Sequence, residues 1–122
     1  MLTNHIGIKV KNIEESQKFY CDNLGFELDH KYDDDKRTLV FLKNENSVIE
    51  LVYVKTSEYN SVMNGIVEHI AFTVDDIEKY TEDLMDRGVK FVTCHPMEID
   101  DKLVIFFEGP SGEKLELVQH LI

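Results

Sequence analysis

Glu68-His69-Ile70-Ala71-Phe72-Thr73-Val74-Asp75-Asp76 decides the reading of this chain, because most of it is already present as Asn4-His5-Ile6-Gly7-Ile8-Lys9-Val10-Lys11-Asn12. In each copy a histidine starts a strand of alternating apolar residues, and a capping residue then opens a helix. His5 and His69 stand 64 residues apart, as do Val10 and Val74, and Ile13 and Ile77. Ile49-Glu50-Leu51 returns as Leu115-Glu116-Leu117 at a spacing of 66. Self-similarity over such a length marks a duplicated supersecondary unit. Each copy has a His in its first strand and a Glu in its last.

The segments between these anchors follow one order twice. Ile6, Ile8 and Val10 alternate with His5, Gly7 and Lys9, and Asn12 with Glu15 forms a capping-box-like start. The helix that follows places Ile13, Gln17, Tyr20 and Leu24 along one stripe with Phe19 beside it, and Gly25 ends it. Strands are predicted over Phe26–His30, Thr38–Lys43 and Val48–Val54. Asp33-Asp34-Asp35 reads as a turn; an acidic metal site there lacks a second carboxylate cluster. In the second copy Asp75 or Asp76 caps a helix bearing Ile77, Tyr80, Leu84 and Met85, and Gly88 stops it. Strands over Lys90–Cys94, Leu103–Glu108 and Lys114–His120 complete it, with a loop from His95-Pro96 and a tight turn at Gly109-Pro110-Ser111-Gly112. The expected organisation is one domain over 1–122, with a βαβββ module at 4–54, a connection at 55–67 and a second module at 68–120. Neither module buries its sheet alone, so two must pack together, from one chain or two.

Composition narrows the partners. The net charge of −11 disfavours nucleic acid and anionic membrane surfaces, which need a basic patch. No apolar run approaches the ~20 residues of a membrane span, and the N-terminus enters a strand pattern without a leader-like stretch. Cys21 and Cys94 lie far apart without CxxC spacing, which suits buried thiols in a reducing cytoplasm.

Period-two alternation assigns faces. If the Ile6 and Ile70 sets pack under the helices, His5 and His69 point from the opposite sheet face, beside the small residues Gly7 and Ala71. Glu50 shares a face with Val48 and Val52, and Glu116 with Val118. A lone His or Glu in a strand is ordinarily a solvated or hydrogen-bonded side chain. Recurrence of both at matching places in both copies changes that balance. A carboxylate interrupting an apolar strand is costly unless compensated, and two carboxylates with two imidazoles are compensated by a divalent cation. The donor set His5, Glu50, His69 and Glu116 suits Ni²⁺, Zn²⁺, Co²⁺, Mn²⁺ or Fe²⁺ rather than Ca²⁺ or Mg²⁺.

His5-Ile6-Gly7-Ile8, Phe19-Tyr20 with Leu24-Gly25-Phe26, Glu68-His69-Ile70-Ala71-Phe72, and Gly109-Pro110-Ser111-Gly112 before Leu115-Glu116-Leu117 together resemble the vicinal oxygen chelate superfamily. That superfamily includes glyoxalase I, methylmalonyl-CoA epimerase, extradiol dioxygenases, fosfomycin-resistance transferases and bleomycin-binding proteins. The resemblance covers nearly the whole chain. It implies an α+β fold in which paired βαβββ modules form a curved, cup-like mixed sheet around a metal, and a homodimer with sites at the interface. All four positions, His5, Glu50, His69 and Glu116, are similar to those of bacterial glyoxalase I; the epimerase branch typically carries Gln where this chain has Glu50. The implied chemistry is proton transfer through an enediolate on a hemithioacetal of a small α-oxo aldehyde. Glu116 is the first choice of base and Glu50 the second.

The chain departs from that pattern where glutathione is held. Glyoxalase I usually has Arg four residues after the first His and Asn four after the first Glu; here these are Lys9 and Val54. Lys9 meets a carboxylate only as a point charge. Another thiol, coenzyme A included, fits the departure. Lys9 and Arg37 are weak substrate-binding candidates; Arg37 and Lys102 read as surface charges near turns, His30, His95 and His120 as exposed or structural, and Phe19 and Tyr20 as core. The rival readings are an epimerase acting beside a thioester carbonyl, a metal-free ligand-sequestering module of the bleomycin-resistance kind, and a purely structural metal site.

Overall fold

The computed structural model of the 122-residue chain describes residues 1–55, 65–109, 112 and 114–121. Most of the expected 55–67 connection, and Pro110 and Ser111 of the expected turn, lie outside the described residues. The elements are β1 (Leu2–Lys9), α1 (Ile13–Leu24), β2 (Glu27–Asp33), β3 (Arg37–Lys43), β4 (Val48–Val54), β5 (Val67–Thr73), α2 (Ile77–Asp86), β6 (Met97–Ile99), β7 (Lys102–Glu108) and β8 (Lys114–His120). The fold is α+β, with the βαβββ order present twice. The chain forms two units, one of residues 5–68 and one of residues 1–4 with 69–122.

In the 5–68 unit the strand order is β2-β3-β4-β1. β2, β3 and β4 pair antiparallel, while β1 pairs parallel with β4. A parallel pair needs a long crossover, which α1, β2 and β3 together provide. The side chain of Asn12 accepts the Glu15 amide at 2.9 Å and so starts α1. Gly25, at φ 73°, ends it in the left-handed region. Val10, Val40, Leu42 and Leu51 form the buried cluster on the helix side, met by Ile13, Tyr20 and Cys21 of α1. The helix lies over β3 and β4, so the apolar stripe read from sequence is only partly covered. Ile6 is 38% exposed, Phe19 53% and Leu24 52%, against the expectation that all three pack inward.

In the other unit the order is β5-β8-β7-β6, with β5 parallel to β8. Asp76 caps α2 by accepting the Lys79 amide at 3.2 Å, and Gln119 Oε1 accepts the Ile77 amide at 2.8 Å. Ile77, Ile105, Leu117, Val74 and Phe107 make the core beneath that helix, with Tyr80 and Leu84 packed on it. Three readings are corrected here. Lys90–Cys94 is not a strand: only Phe91 bridges to Phe107, because the chain bends over 92–95 toward Pro96, which has no amide hydrogen to donate. The expected loop from His95 instead contains β6, which returns to β7 through Asp100 and Asp101 at φ 53° and 57°. Short Asp side chains tolerate that region, and a two-residue turn with both φ positive matches the twist of a hairpin. Cys94 is exposed, not buried. Among the described residues no helix is long and apolar enough to cross a membrane.

Asp34, in the turn after β2, accepts the amides of Lys36 at 2.8 Å and Arg37 at 2.9 Å. These bonds, the Lys36 one foremost, hold its carboxyl below the usual 3.8. A lowered pKa contributes stability above the unfolded value, lost as pH falls through the folded one. Asp34→Ala is therefore expected to lower Tm near neutral pH and to flatten the fall in Tm as pH drops below about 4. Parallel melting curves for wild type and variant check this.

Candidate functional site

In the 5–68 unit, the parallel pairing of β1 with β4 sets Gly7 against Glu50. His5, two residues earlier on the same face, reaches the carboxylate: its Nε2 is 3.5 Å from Glu50 Oε1. Both are buried, at 2% and 6% exposure. Phe41 stands across from Glu50 in the β3–β4 register and meets the His5 ring edge-on, with centroids 5.6 Å apart. Leu39, Phe41 and Val52 form a second apolar cluster here, on the face away from α1, flanked by Tyr32, Val48 and Val54.

The second unit builds the same arrangement. Ala71 pairs with Glu116, His69 Nε2 is 3.3 Å from Glu116 Oε1, and both are 5% exposed. Phe106, opposite Glu116 in the β7–β8 register, meets His69 edge-on at 6.1 Å. Ala71, Val104 and Val118 make the surrounding apolar cluster. Lys114 Nζ lies 4.4 Å above the Phe106 ring.

The face assignments of His5, Glu50, His69 and Glu116 therefore hold within each unit. A carboxylate at this depth is tolerated only with a partner of opposite charge or a cation. A charge-assisted nitrogen–oxygen bond is about 2.7–2.9 Å, shorter than either separation. A nitrogen about 2.0–2.1 Å and an oxygen about 2.0–2.2 Å from one metal stand about 2.8–3.5 Å apart between right-angled and tetrahedral geometry. The 3.5 and 3.3 Å separations thus fit an imidazole and a carboxylate facing a common transition metal.

The remaining candidates are placed as follows. Lys9 shares the His5 face at the far end of β1. Arg37 opens β3, with its Nε 3.7 Å from Asp34 Oδ2 and about 13 Å along the strand from Phe41. It engages the turn acid, not the His5–Glu50 pair. Lys102 is not a surface charge: it is 8% exposed, and its Nζ is 3.3 Å from Asp100 Oδ2. Sequence reasoning missed Phe41 and Phe106. The signal was present, since they stand 65 residues apart, between the 64 of the histidines and the 66 of the glutamates.

Residues 3–117 match the Glyoxalase/Bleomycin resistance protein/Dioxygenase superfamily, and the chain belongs to it. It is similar to a probable lactoylglutathione lyase from Synechocystis sp., 36% identical over 98% of this chain and 95% of that one. It is also similar to a metallothiol transferase from Staphylococcus epidermidis, 31% identical over 93% of this chain and 78% of that one. Methylmalonyl-CoA epimerase from Mycobacterium tuberculosis has the same fold, with a TM-score of 0.88 at 21% identity over 98% and 88% of the two chains.

Phe41 is 3% exposed and walls the His5–Glu50 pair. Phe41→Ala is expected to cost about 3–5 kcal/mol in urea unfolding and to shift the His5 ring resonances. A loss under about 1 kcal/mol would show that the wall is not packed as described.

Proposed function

We propose that the chain is a metal-dependent lyase or isomerase of the glyoxalase I type, acting on a hemithioacetal of a small α-oxo aldehyde. One observation carries the reading: each module buries an imidazole and a carboxylate side by side, at 3.5 and 3.3 Å, on the sheet face away from its helix. His5, Glu50, His69 and Glu116 are the proposed ligands of one divalent transition metal among Ni²⁺, Zn²⁺, Co²⁺, Mn²⁺ and Fe²⁺. When bound, that ion supplies Lewis-acid polarisation of two adjacent substrate oxygens. Glu116 takes the proton from the carbon bearing the hydroxyl and sulfur and delivers it to the neighbouring carbonyl carbon, while the hydroxyl proton passes to the former carbonyl oxygen, so that a hydroxyacyl thioester leaves. Glu50 is the alternative base. His5 and His69 orient through their Nε2 atoms, and Phe41 and Phe106 exclude water beside them.

Lys9 and Val54 stand where a glutathione-using glyoxalase has Arg and Asn, which favours a different thiol carrier. The same feature supports proton transfer beside an existing thioester carbonyl as a second reading, with the same two carboxylates. A homodimer in a reducing cytoplasm is the proposed setting, in keeping with two free cysteines. Light scattering at twice the 14.2 kDa chain mass is the expected result.

The test is to strip the protein, reload it with each metal in turn, and assay methylglyoxal adducts of glutathione, bacillithiol and coenzyme A. Near one equivalent of one metal per chain and turnover of one adduct are expected. Glu116→Gln is expected to lower kcat by about 10²–10⁴-fold with an unchanged melting curve. Undiminished turnover removes Glu116 from its role. Failure to take up any metal leaves a metal-free ligand-sequestering module as the better account.

A further inference from the structure

Strand alternation fixes where the His5 and His69 rings start but not how their planes turn, because the second side-chain torsion of a histidine is broad. A ring that aims Nε2 at a metal needs a neighbour to set that plane, ordinarily a hydrogen-bond partner of its other nitrogen. Each module adds a second kind of neighbour. Phe41 meets His5 with the ring planes 85° apart, and Phe106 meets His69 with the planes 90° apart. Each phenyl stands opposite the glutamate of its own pair, Phe41 across from Glu50 and Phe106 across from Glu116. Edge-to-face contact is an arrangement that aromatic quadrupoles prefer, so an imidazole that turns gives it up.

A phenylalanine ring is as free about its own second torsion. It orients an imidazole only if something holds it in turn. In the 5–68 unit the holder is His30. Leu28 pairs with Leu42 and His30 with Phe41, so Asp29 is the extra residue of a β-bulge that sets His30 opposite Phe41. The His30 ring lies flat against Phe41, with centroids 4.4 Å apart and planes 5° from parallel. Asp29 fixes that ring, its Oδ2 being 2.7 Å from His30 Nδ1. In the other unit Lys114 Nζ lies over the Phe106 ring, 4.4 Å from its centroid, in a cation–π contact. The holders differ, whereas the phenyl and its perpendicular histidine recur 65 residues apart.

We infer that Phe41 and Phe106 are positioning residues for metal binding, each setting the ring plane of its histidine, and that His30 and Lys114 hold the two phenyls; this rests on the reading of His5 and His69 as metal ligands. A leucine in either place would exclude water as well and hold no plane.

The experiment compares Phe106→Leu and Phe106→Tyr with the wild type. Phe106 is half-buried where Phe41 is 3% exposed, so its variants disturb the packing less. Neither substitution changes the charge near the site, so an altered metal affinity is not a Coulomb effect. Each protein is loaded with Co²⁺; chelator competition gives Kd, and the visible absorption of the ion reports its ligand geometry. Phe106→Leu is expected to weaken Co²⁺ about tenfold or more and to shift the absorption bands. Phe106→Tyr, which keeps the ring, is expected to keep both near the wild type. Lys114→Met, which leaves the phenyl in place but unheld, is expected to shift the bands less, and unshifted bands remove Lys114 from the role. Ile105→Val, in the core beneath α2 on the same strand, is the control, expected to lower Tm and leave Kd and bands unchanged. Wild-type Kd and bands in Phe106→Leu overturn the inference, as does an equal loss in Phe106→Tyr or in Ile105→Val. Hemithioacetal turnover keeps the two proposals apart. Turnover by the wild type with an unperturbed Co²⁺ site in Phe106→Leu leaves the lyase standing without this role. A perturbed site in Phe106→Leu with no turnover of any adduct by the wild type removes the lyase and leaves the role. No Co²⁺ uptake by the wild type overturns both.

Discussion

A buried carboxylate beside a buried imidazole, made once in each module, is the constraint on which the rest of the structure depends. Taking a carboxylate out of water costs several kcal/mol, so Glu50 and Glu116 are tolerated at 6% and 5% exposure only where a counterpart is held against them. The β-α-β-β-β order supplies it. Because the first strand pairs parallel with the last, residues far apart in sequence become neighbours across a single inter-strand gap. Gly7 and Ala71 sit in register with the glutamates.

Each unit divides its labour between the two faces of its strands. The helix side carries the larger apolar clusters, around Leu42 and Leu51 in one unit and Ile105 and Leu117 in the other, and these supply most of the burial that offsets chain entropy. The opposite face carries smaller clusters, around Phe41 and Val104, in which the polar groups are embedded. Apolar walls there lower the local dielectric and strengthen each electrostatic contact. The larger apolar clusters and the buried polar pairs are thereby separated by the thickness of one strand.

Duplication has not kept the two copies identical. Phe41 and Phe106 occupy equivalent places, yet His30 stacks on the first and Lys114 lies over the second. The bulge at Asp29 belongs to the first module.

Much of this was legible in the sequence. The 64- and 66-residue spacings revealed the duplication, and alternation placed His5, Glu50, His69 and Glu116 on the correct faces, because side-chain direction along a strand is a local property of period two. The bounds of β4 and β8, the caps at Asn12 and Gly25, and a second cap at Asp75 or Asp76 were readable for the same reason, and the structure selects Asp76: each depends on a few adjacent residues. Tertiary structure decided what depends on a partner. The bulge that sets His30 opposite Phe41 exists only in the ladder between β2 and β3. The exposure of Ile6, Phe19 and Leu24 follows from where α1 lies, and the burial of Lys102 from the strands around it. The single Phe91 bridge and the short β6 are likewise set by the edge they meet. Local sequence determined which residues share a face; only the packed chain decided which faces are covered, because coverage is a property of neighbours that the alternation of one strand does not encode.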